Sequence, residues 1–146
     1  KEIYSEVAKL DSEVLDYYVI DPEWKVKTIL PHIAKASNNY GQFVSGVTET
    51  KPLELEEPSS SDDIKVLTDK LYEIDQGLID NQGIGDVDLT IKMRSGVKEH
   101  KSSTIFSQMV FHAAEHRAQI VAALDRHNVR SINLDDYDVW SYIRAH

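Results

Sequence analysis

The 146-residue chain contains no cysteine, and this absence excludes several kinds of chemistry at once. Disulfide bonds, thiolate metal sites and a cysteine nucleophile all require a residue that the chain lacks. Any thiol chemistry would depend on a thiol supplied from outside the protein. The absence of cysteine fits a reducing interior, and with no membrane span or leader in the sequence we expect a cytoplasmic location.

Basic residues and long apolar runs are also scarce. The 16 lysines and arginines stand against 25 aspartates and glutamates, which gives a formal net charge of -9 at pH 7. Nucleic acids and anionic membranes need a basic face, so we expect neither as a partner. No stretch approaches the roughly 20 apolar residues of a membrane span, and no charged-then-apolar leader precedes Ile3. The length predicts a single soluble domain over residues 1–146.

Apolar residues recur at spacings of three and four in four segments, a pattern typical of helices that bury one face. The predicted helices cover residues 3–17, about 26–48, 61–78 and about 102–128. Pro31 is expected to kink the second helix or mark its regular start. Ser61 is expected to cap the third helix, and Ser102, Ser103 or Thr104 the fourth. The Pro- and Ser-containing stretch 50–60 is predicted to be a loop.

Two shorter segments complete the predicted fold. Alternating apolar residues at Val87, Leu89, Ile91 and Met93 indicate a small β-hairpin from about 86 to 100. Residues 132–143 are read as a terminal segment that packs Trp140 and Ile143 back onto the helices. The sequence therefore predicts an all-α four-helix bundle with a small β-hairpin before the last long helix.

Two histidines, His112 and His116, lie four residues apart in the predicted fourth helix. This spacing sets their side chains about 40 degrees apart and one turn along the helix, which lets two imidazoles share one metal ion. A helical wheel places both on the apolar face with Ile105, Met109 and Ala123. We interpret the pair as candidate metal ligands, because histidines on the inward face of a helix are hard to explain as ordinary solvent-exposed residues.

A third ligand is needed, since two protein ligands rarely hold a transition metal tightly. His32 flanks the apolar stripe of the predicted second helix and is the natural third ligand; the alternative is a histidine hydrogen-bonded in the core. The position after His112 is Ala113 and not glutamate, so a metallopeptidase of the His-Glu-x-x-His type is disfavoured.

Other residues of the fourth helix are candidates for contacts behind the ligands or with a substrate. Gln108 and Gln119 lie within about 40 degrees of His112 on the wheel, and Glu115 lies near the edge of this face. Glu115 can accept a proton, although a surface ion pair with Arg117 or a lysine explains it as well. Arg117 itself, about 140 degrees from His112, is expected at the helix surface or a subunit interface. No function is assigned to the remaining histidines, His100, His127 and His146.

Three segments carry a more specific signal: Trp24-Lys25-Val26 followed by Ile29 to Ile33, the run Phe-His-Ala-Ala-Glu-His-Arg-Ala-Gln-Ile at 111–120, and the ending 134–143 with Trp140 and Tyr142. In order and spacing they resemble the DinB/YfiT-like family of metalloenzymes over nearly the whole chain. The run 112–120 is similar to the family's His-x-x-x-His-Arg-Gly-Gln-Ile. Ala118 stands where the family commonly has glycine, and Pro31 precedes the helix-two histidine.

The resemblance implies a four-helix bundle, often a dimer, in which His32, His112 and His116 bind a divalent ion such as nickel or zinc. Some relatives are transferases or isomerases that use low-molecular-weight thiols such as bacillithiol or mycothiol, and many others have no known reaction. We therefore expect a homodimer, a small-molecule substrate and, where a thiol is used, an external one.

Three hypotheses for function follow. Three neutral imidazoles do not reduce the double charge of a bound ion, and they leave at least one coordination position open. This favours a metal-dependent thiol transferase or hydrolase in which the ion activates an external thiol or a water. The competing hypothesis is a non-catalytic, stress-associated helical bundle whose metal is structural or absent. The third is an ordinary polar cluster in the core that binds no metal.

Overall fold

A computed structural model describes residues 2–80, 85–93 and 95–145 of the chain. The fold is mostly helical with one antiparallel hairpin, which confirms the sequence prediction at this coarse level. The elements of the described residues are, in chain order, α1 (Glu2–Val7), a 3-10 helix (Ser12–Asp16), α2 (Val26–Val44), α3 (Ser61–Asp80), β1 (Asp88–Met93), β2 (Gly96–Lys101), α4 (Ser102–Arg126), a second 3-10 helix (Leu134–Tyr137) and α5 (Val139–Ala145). None of these helices combines the length and the apolar composition that crossing a bilayer requires.

Helix α2 is the central element, because it packs against both α3 and α4. Its apolar stripe is buried against one main core, and burial of this area is the principal force that holds the three helices together. The helix runs through Pro31, which removes one internal hydrogen bond, and it stops at Val44, before the predicted end. Gly46, with φ of +85°, closes it. The core residues shared by these helices include Val26, Ile29, Leu30, Ile33, Ile64, Leu67, Leu71, Ile120 and Leu124.

The hairpin forms a second, smaller hydrophobic cluster next to α2 and α4. Strands β1 and β2 pair antiparallel in a register that sets Leu89 opposite His100. Leu89 and Ile91 point to one face and are buried against Ile105 of α4, as their alternation predicted. The side chain of Met93, the last member of that pattern, lies outside the described residues. Partly buried residues of α2 complete the cluster: Tyr40, Phe43 and Val44.

The first predicted helix, residues 3–17, is wrong as a single element. Helix α1 ends at Val7, the N–H groups of Lys9 and Leu10 bond to carbonyls only three residues back, and Asp11 is extended. Aspartate and serine at 11 and 12 favour such breaks because their side chains compete with helical hydrogen bonds. The apolar stripe still reaches the core, since Ile3, Val7 and Val14 are all buried.

The residues that cap α3 and α4 also differ from the prediction. At α3 the Ser60 hydroxyl accepts from the Asp63 N–H, whereas the predicted cap, Ser61, donates its hydroxyl to the Ala8 carbonyl. At α4 the acceptor is Asp86, which lies before the hairpin and takes hydrogen bonds from the Ser102 hydroxyl and the Ser103 N–H. Local sequence identified where these helices start, but a distant residue supplies the second cap.

The terminal segment does not pack as predicted. Trp140 is 68% exposed and Ile143 is 57% exposed, so neither returns to the core. Ile132 is the buried apolar residue of this segment. The Ser141 hydroxyl donates to the Asp135 carbonyl, and the Ser141 N–H donates to the Asp138 carboxylate, so the segment is held by its own hydrogen bonds. These local hydrogen bonds hold a seven-residue helix in which the side chains of Trp140 and Ile143 face solvent.

Candidate metal centre

The three predicted ligands come from two helices that pack against each other. His32 lies in the second turn of α2, and His112 and His116 lie one turn apart in the middle of α4. His116 is buried, with 8% exposure, and the other two histidines are half-buried. The packing of α2 on α4 therefore gathers three imidazoles at one point of the helix interface, as the helical wheels predicted.

The ring nitrogens are spaced as ligands of one ion would be. The His112 Nε2 lies 3.2 Å from the His32 Nε2 and 3.1 Å from the His116 Nε2, and one ligand atom from each residue lies within 4.8 Å of the others. Zinc–nitrogen bonds of about 2.0 Å place tetrahedral ligands about 3.3 Å apart. The donor set and its spacing therefore fit a divalent transition ion.

Hydrogen bonding among the rings gives a second reason to consider an ion. A neutral imidazole nitrogen carries either one N–H or one lone pair, so the His112 Nε2 can make one well-aligned hydrogen bond in the ring plane. It has two close partners, His32 and His116. A shared cation would use all three lone pairs at once, whereas hydrogen bonding alone leaves one of these contacts unsatisfied.

The tautomer of His116 is fixed by residues behind it. The Trp24 indole N–H, which can only donate, bonds to the Gln119 Oε1 over 2.9 Å. The same oxygen lies 2.7 Å from the His116 Nδ1, so that nitrogen must carry the proton and donate it. The Nε2 of His116 is left with its lone pair directed toward the other two imidazoles. This arrangement of an oriented ring behind a ligand is usual at metal-binding histidines.

The environment favours the neutral form of His32 and His112, which is the form that binds metal. Burial, followed by the neighbouring His116 and His112 rings and then Lys35, lowers the pKa of His32 to about 4. Burial and His116 likewise lower the pKa of His112, with a smaller opposing effect of Glu115. Desolvation disfavours the imidazolium form, and each additional positive charge in the cluster would disfavour the next.

Trp24 forms part of the wall around the cluster. Its ring packs edge-on against His32, with centroids 5.0 Å apart, and lies 5.5 Å from the His116 ring. On the other side the Tyr40 ring contacts His112 edge-on at 5.8 Å. These aromatic contacts restrict the rotation of the imidazoles and exclude water from the sides of the cluster.

A cavity of about 290 Å³ opens between α3 and α4 and reaches His112. We refer to it as the α3–α4 cavity. Most of its wall is apolar, but Ser37, Asp75 and Arg117 also line it, and the Ser37 hydroxyl donates to the Asp75 carboxylate over 2.7 Å. These three residues were not predicted as part of the site. Asp75 could have been found, because it falls between Leu71 and Leu78 on the apolar face of α3, where an unpartnered carboxylate is costly.

The other candidate residues have separate locations. Gln119 contacts His116 directly, whereas Gln108 is exposed. Glu115 is exposed and lines a second pocket, with Trp24 and Gln119, on the far side of the cluster from the α3–α4 cavity. Arg117 is half-buried and lines the α3–α4 cavity, and its expected place at a subunit interface stays a prediction.

Two of the three histidines without an assigned function, His100 and His127, are not part of the cluster. His127 stacks on Tyr17 with ring centroids 3.8 Å apart. The buried Nε2 of His100 has no hydrogen-bond partner among the described residues, and His146 lies outside them. The structure gives no reason to revise the prediction for the first two.

Comparison of the chain with protein-family models, with curated proteins and with solved structures found no match in any of the three. The resemblance to the DinB/YfiT-like family therefore rests on the sequence motifs alone and stays a prediction.

Proposed function

We propose that the chain is a DinB/YfiT-like, metal-dependent enzyme that binds a divalent ion through His32, His112 and His116 and acts on a small molecule as a thiol transferase or hydrolase. The convergence of three Nε2 atoms at the α2–α4 interface carries this proposal. Nickel and zinc are the ions we favour, because imidazole donors suit both. The four-helix bundle, with α1 and its following 3-10 helix as the first member, and the homodimer belong to the same proposal.

In the proposed centre, the ion would activate the nucleophile, and the protein would orient the ligands and admit the substrate. A bound ion would act as a Lewis acid that makes an external thiol or a water more acidic and so a better nucleophile. Gln119 orients His116 through its Nδ1–H, and Trp24 holds Gln119 in place. The α3–α4 cavity gives a small molecule a route to His112. Glu115, in the second pocket, is the candidate proton acceptor on the opposite side.

Three histidine ligands would leave an open coordination position on a bound ion, and this favours catalysis over a purely structural role. Structural zinc sites have four protein ligands, whereas catalytic sites keep one position for water or substrate. No fourth histidine or carboxylate of the described residues joins the three-histidine group. A structural ion remains the alternative, and it would require a fourth ligand from elsewhere, such as a second copy of the chain.

Metal analysis of protein purified without an affinity tag tests the proposal. We expect about one equivalent of a transition metal, or the same amount after reconstitution with zinc or nickel. His112→Gln should remove it, because glutamine keeps the size of the side chain but is a poor ligand. His127→Gln is the matched control, since this exposed histidine of the same helix region stacks on Tyr17 and is far from the cluster. The absence of bound metal in the parent after reconstitution, or equal binding by the His112 variant, would refute the site.

Activity separates the enzyme from the structural alternative. The reconstituted protein should accelerate attack of a low-molecular-weight thiol, or of water, on a small electrophile, and the His112 variant should not. A parent protein that binds one equivalent of metal but is inactive with both nucleophiles over a broad substrate set would favour a structural ion.

A further inference from the structure

The α3–α4 cavity contains one positive and one negative side chain that do not pair with each other. No carboxylate oxygen of the described residues lies within the 4.0 Å ion-pair distance of the Arg117 guanidinium. Asp75 instead accepts a hydrogen bond from Ser37. Both charges act on the phenol of Tyr4, whose pKa is raised mainly by burial and then by Asp75, and is lowered by Arg117. The two groups therefore flank the same space without neutralising each other.

A half-buried guanidinium without a counter-ion is unfavourable, because it has lost water and gained no partner. The rest of the cavity wall is mostly apolar and includes Ile33, Leu71, Met109 and Ala113. An anionic group on a mostly apolar molecule would satisfy both parts of this lining. Arginine is especially suited to a carboxylate, since its planar fork donates two parallel hydrogen bonds.

The charge and dimensions of the cavity narrow the class of ligand. Asp75 lines the same cavity and disfavours a second negative charge, so a monoanion fits better than a phosphate or a dicarboxylate. Arg117 follows His112 by five residues, which is roughly 7.5 Å along the helix axis. The volume of about 290 Å³ is at the small end of ligand pockets, which span about 300–1,000 Å³. A carboxylate with a short apolar body would reach from Arg117 to His112.

We propose that the α3–α4 cavity binds a small monocarboxylate, with the carboxylate on Arg117 and the apolar body directed toward His112. As a substrate site this inference rests on the proposed metal function, whereas carboxylate binding itself does not require the metal. Asp75 and Ser37 would contact a hydroxyl or amino group on the ligand body.

Calorimetric titration of metal-free protein in a chelating buffer tests the site, because a carboxylate then has no metal to bind. Hexanoate is the probe, and hexanamide is its neutral match in size and shape. We expect hexanoate to bind at least tenfold more tightly than hexanamide. Arg117→Met should abolish this preference, and Arg117→Lys should keep part of it. Arg130→Met, a change at an exposed arginine, should leave it unchanged.

Asp75→Asn supplies an independent test that does not depend on the folding of the Arg117 variants. It removes a negative charge but can still accept from Ser37, so hexanoate should bind at least twofold more tightly while hexanamide is unaffected. Equal binding of the two probes by the parent, or a preference that survives in Arg117→Met, would overturn the inference. Loss of the preference in Arg130→Met would also overturn it, because binding would then lie on the surface. If hexanoate binds as expected but the protein takes up no metal, the proposed function fails and the carboxylate site stands.

Discussion

Replacing Gln119 tests whether the residues behind His116 control metal binding. In the parent, one amide oxygen accepts from the His116 Nδ1–H over 2.7 Å and from the Trp24 indole over 2.9 Å. Gln119→Leu removes that oxygen and leaves both donors without their acceptor. The His116 ring then loses the contact that selects its tautomer and orientation. Loss of such a partner typically weakens metal binding about 10–100-fold, or about 1.4–2.8 kcal/mol. This range agrees with the cost of about 1–3 kcal/mol for a polar group left unsatisfied.

Competition between the protein and a chromophoric chelator for zinc at pH 7.5 gives the affinity directly. Gln119→Glu is the control, because its carboxylate still accepts both hydrogen bonds and increases the basicity of the imidazole; we expect zinc affinity equal to the parent or higher. Circular dichroism of each metal-free variant checks that the helices are intact. Parent-like zinc affinity in Gln119→Leu, or an equal loss in both variants, would refute the tautomer argument.

Three further predictions concern stability. His32 has a pKa of about 4 in the fold against 6.5 when unperturbed, so the unfolded chain binds more protons than the folded chain between these pH values. The free energy of unfolding of the metal-free protein should therefore fall as the pH falls from about 6.5 to about 4. Urea unfolding of His32→Gln should show a weaker dependence of this free energy on pH. Asp86→Ala should lower the free energy of unfolding through loss of the α4 cap, and it should do so by more than Asp88→Ala, which breaks only an exposed ion pair with Lys101. Equal losses would contradict the assigned cap. Trp140→Ala should change the free energy of unfolding by no more than about 0.5 kcal/mol, and a loss of several kcal/mol would show that this side chain is buried after all.

The sequence predicted the long helices well because their apolar spacing directly reflects one-sided burial. Helices α2, α3 and α4 and the Leu89–Ile91 alternation of the hairpin all appear near the expected positions. The same spacing was misleading at the N-terminus, where Val7 and Val14 face one core from two separate elements. The spacing of apolar residues indicates which side chains are buried. It does not reveal a break between two elements when the side chains on both sides of the break face the same core.

For the candidate site, the apolar faces of the two helices predicted which three histidines meet, but they did not predict the polar contacts around them. The His112 and His116 spacing, with Gln119 one turn further on, follows from the geometry of α4 alone. Asp75 and Ser37 meet across α2 and α3, and no sequence spacing specifies that contact. The cavity beside Arg117 was not predictable for a related reason: the angle of Arg117 from His112 on α4 does not show that a space between α3 and α4 lies on that side of the helix.

The separation of His32 and His112 by 80 residues has a consequence for the unfolded chain. An ion held by both would act as a removable cross-link that closes a loop of that length. By the chain-entropy relation for cross-links, such a loop lowers the entropy of the unfolded ensemble by an amount worth on the order of 4–5 kcal/mol at 25 °C. The free energy of unfolding of a typical domain is only about 5–15 kcal/mol, so a contribution of this size would be a large part of the total. Ion binding would therefore control how long the polypeptide survives proteolysis, as well as which molecules it can react with.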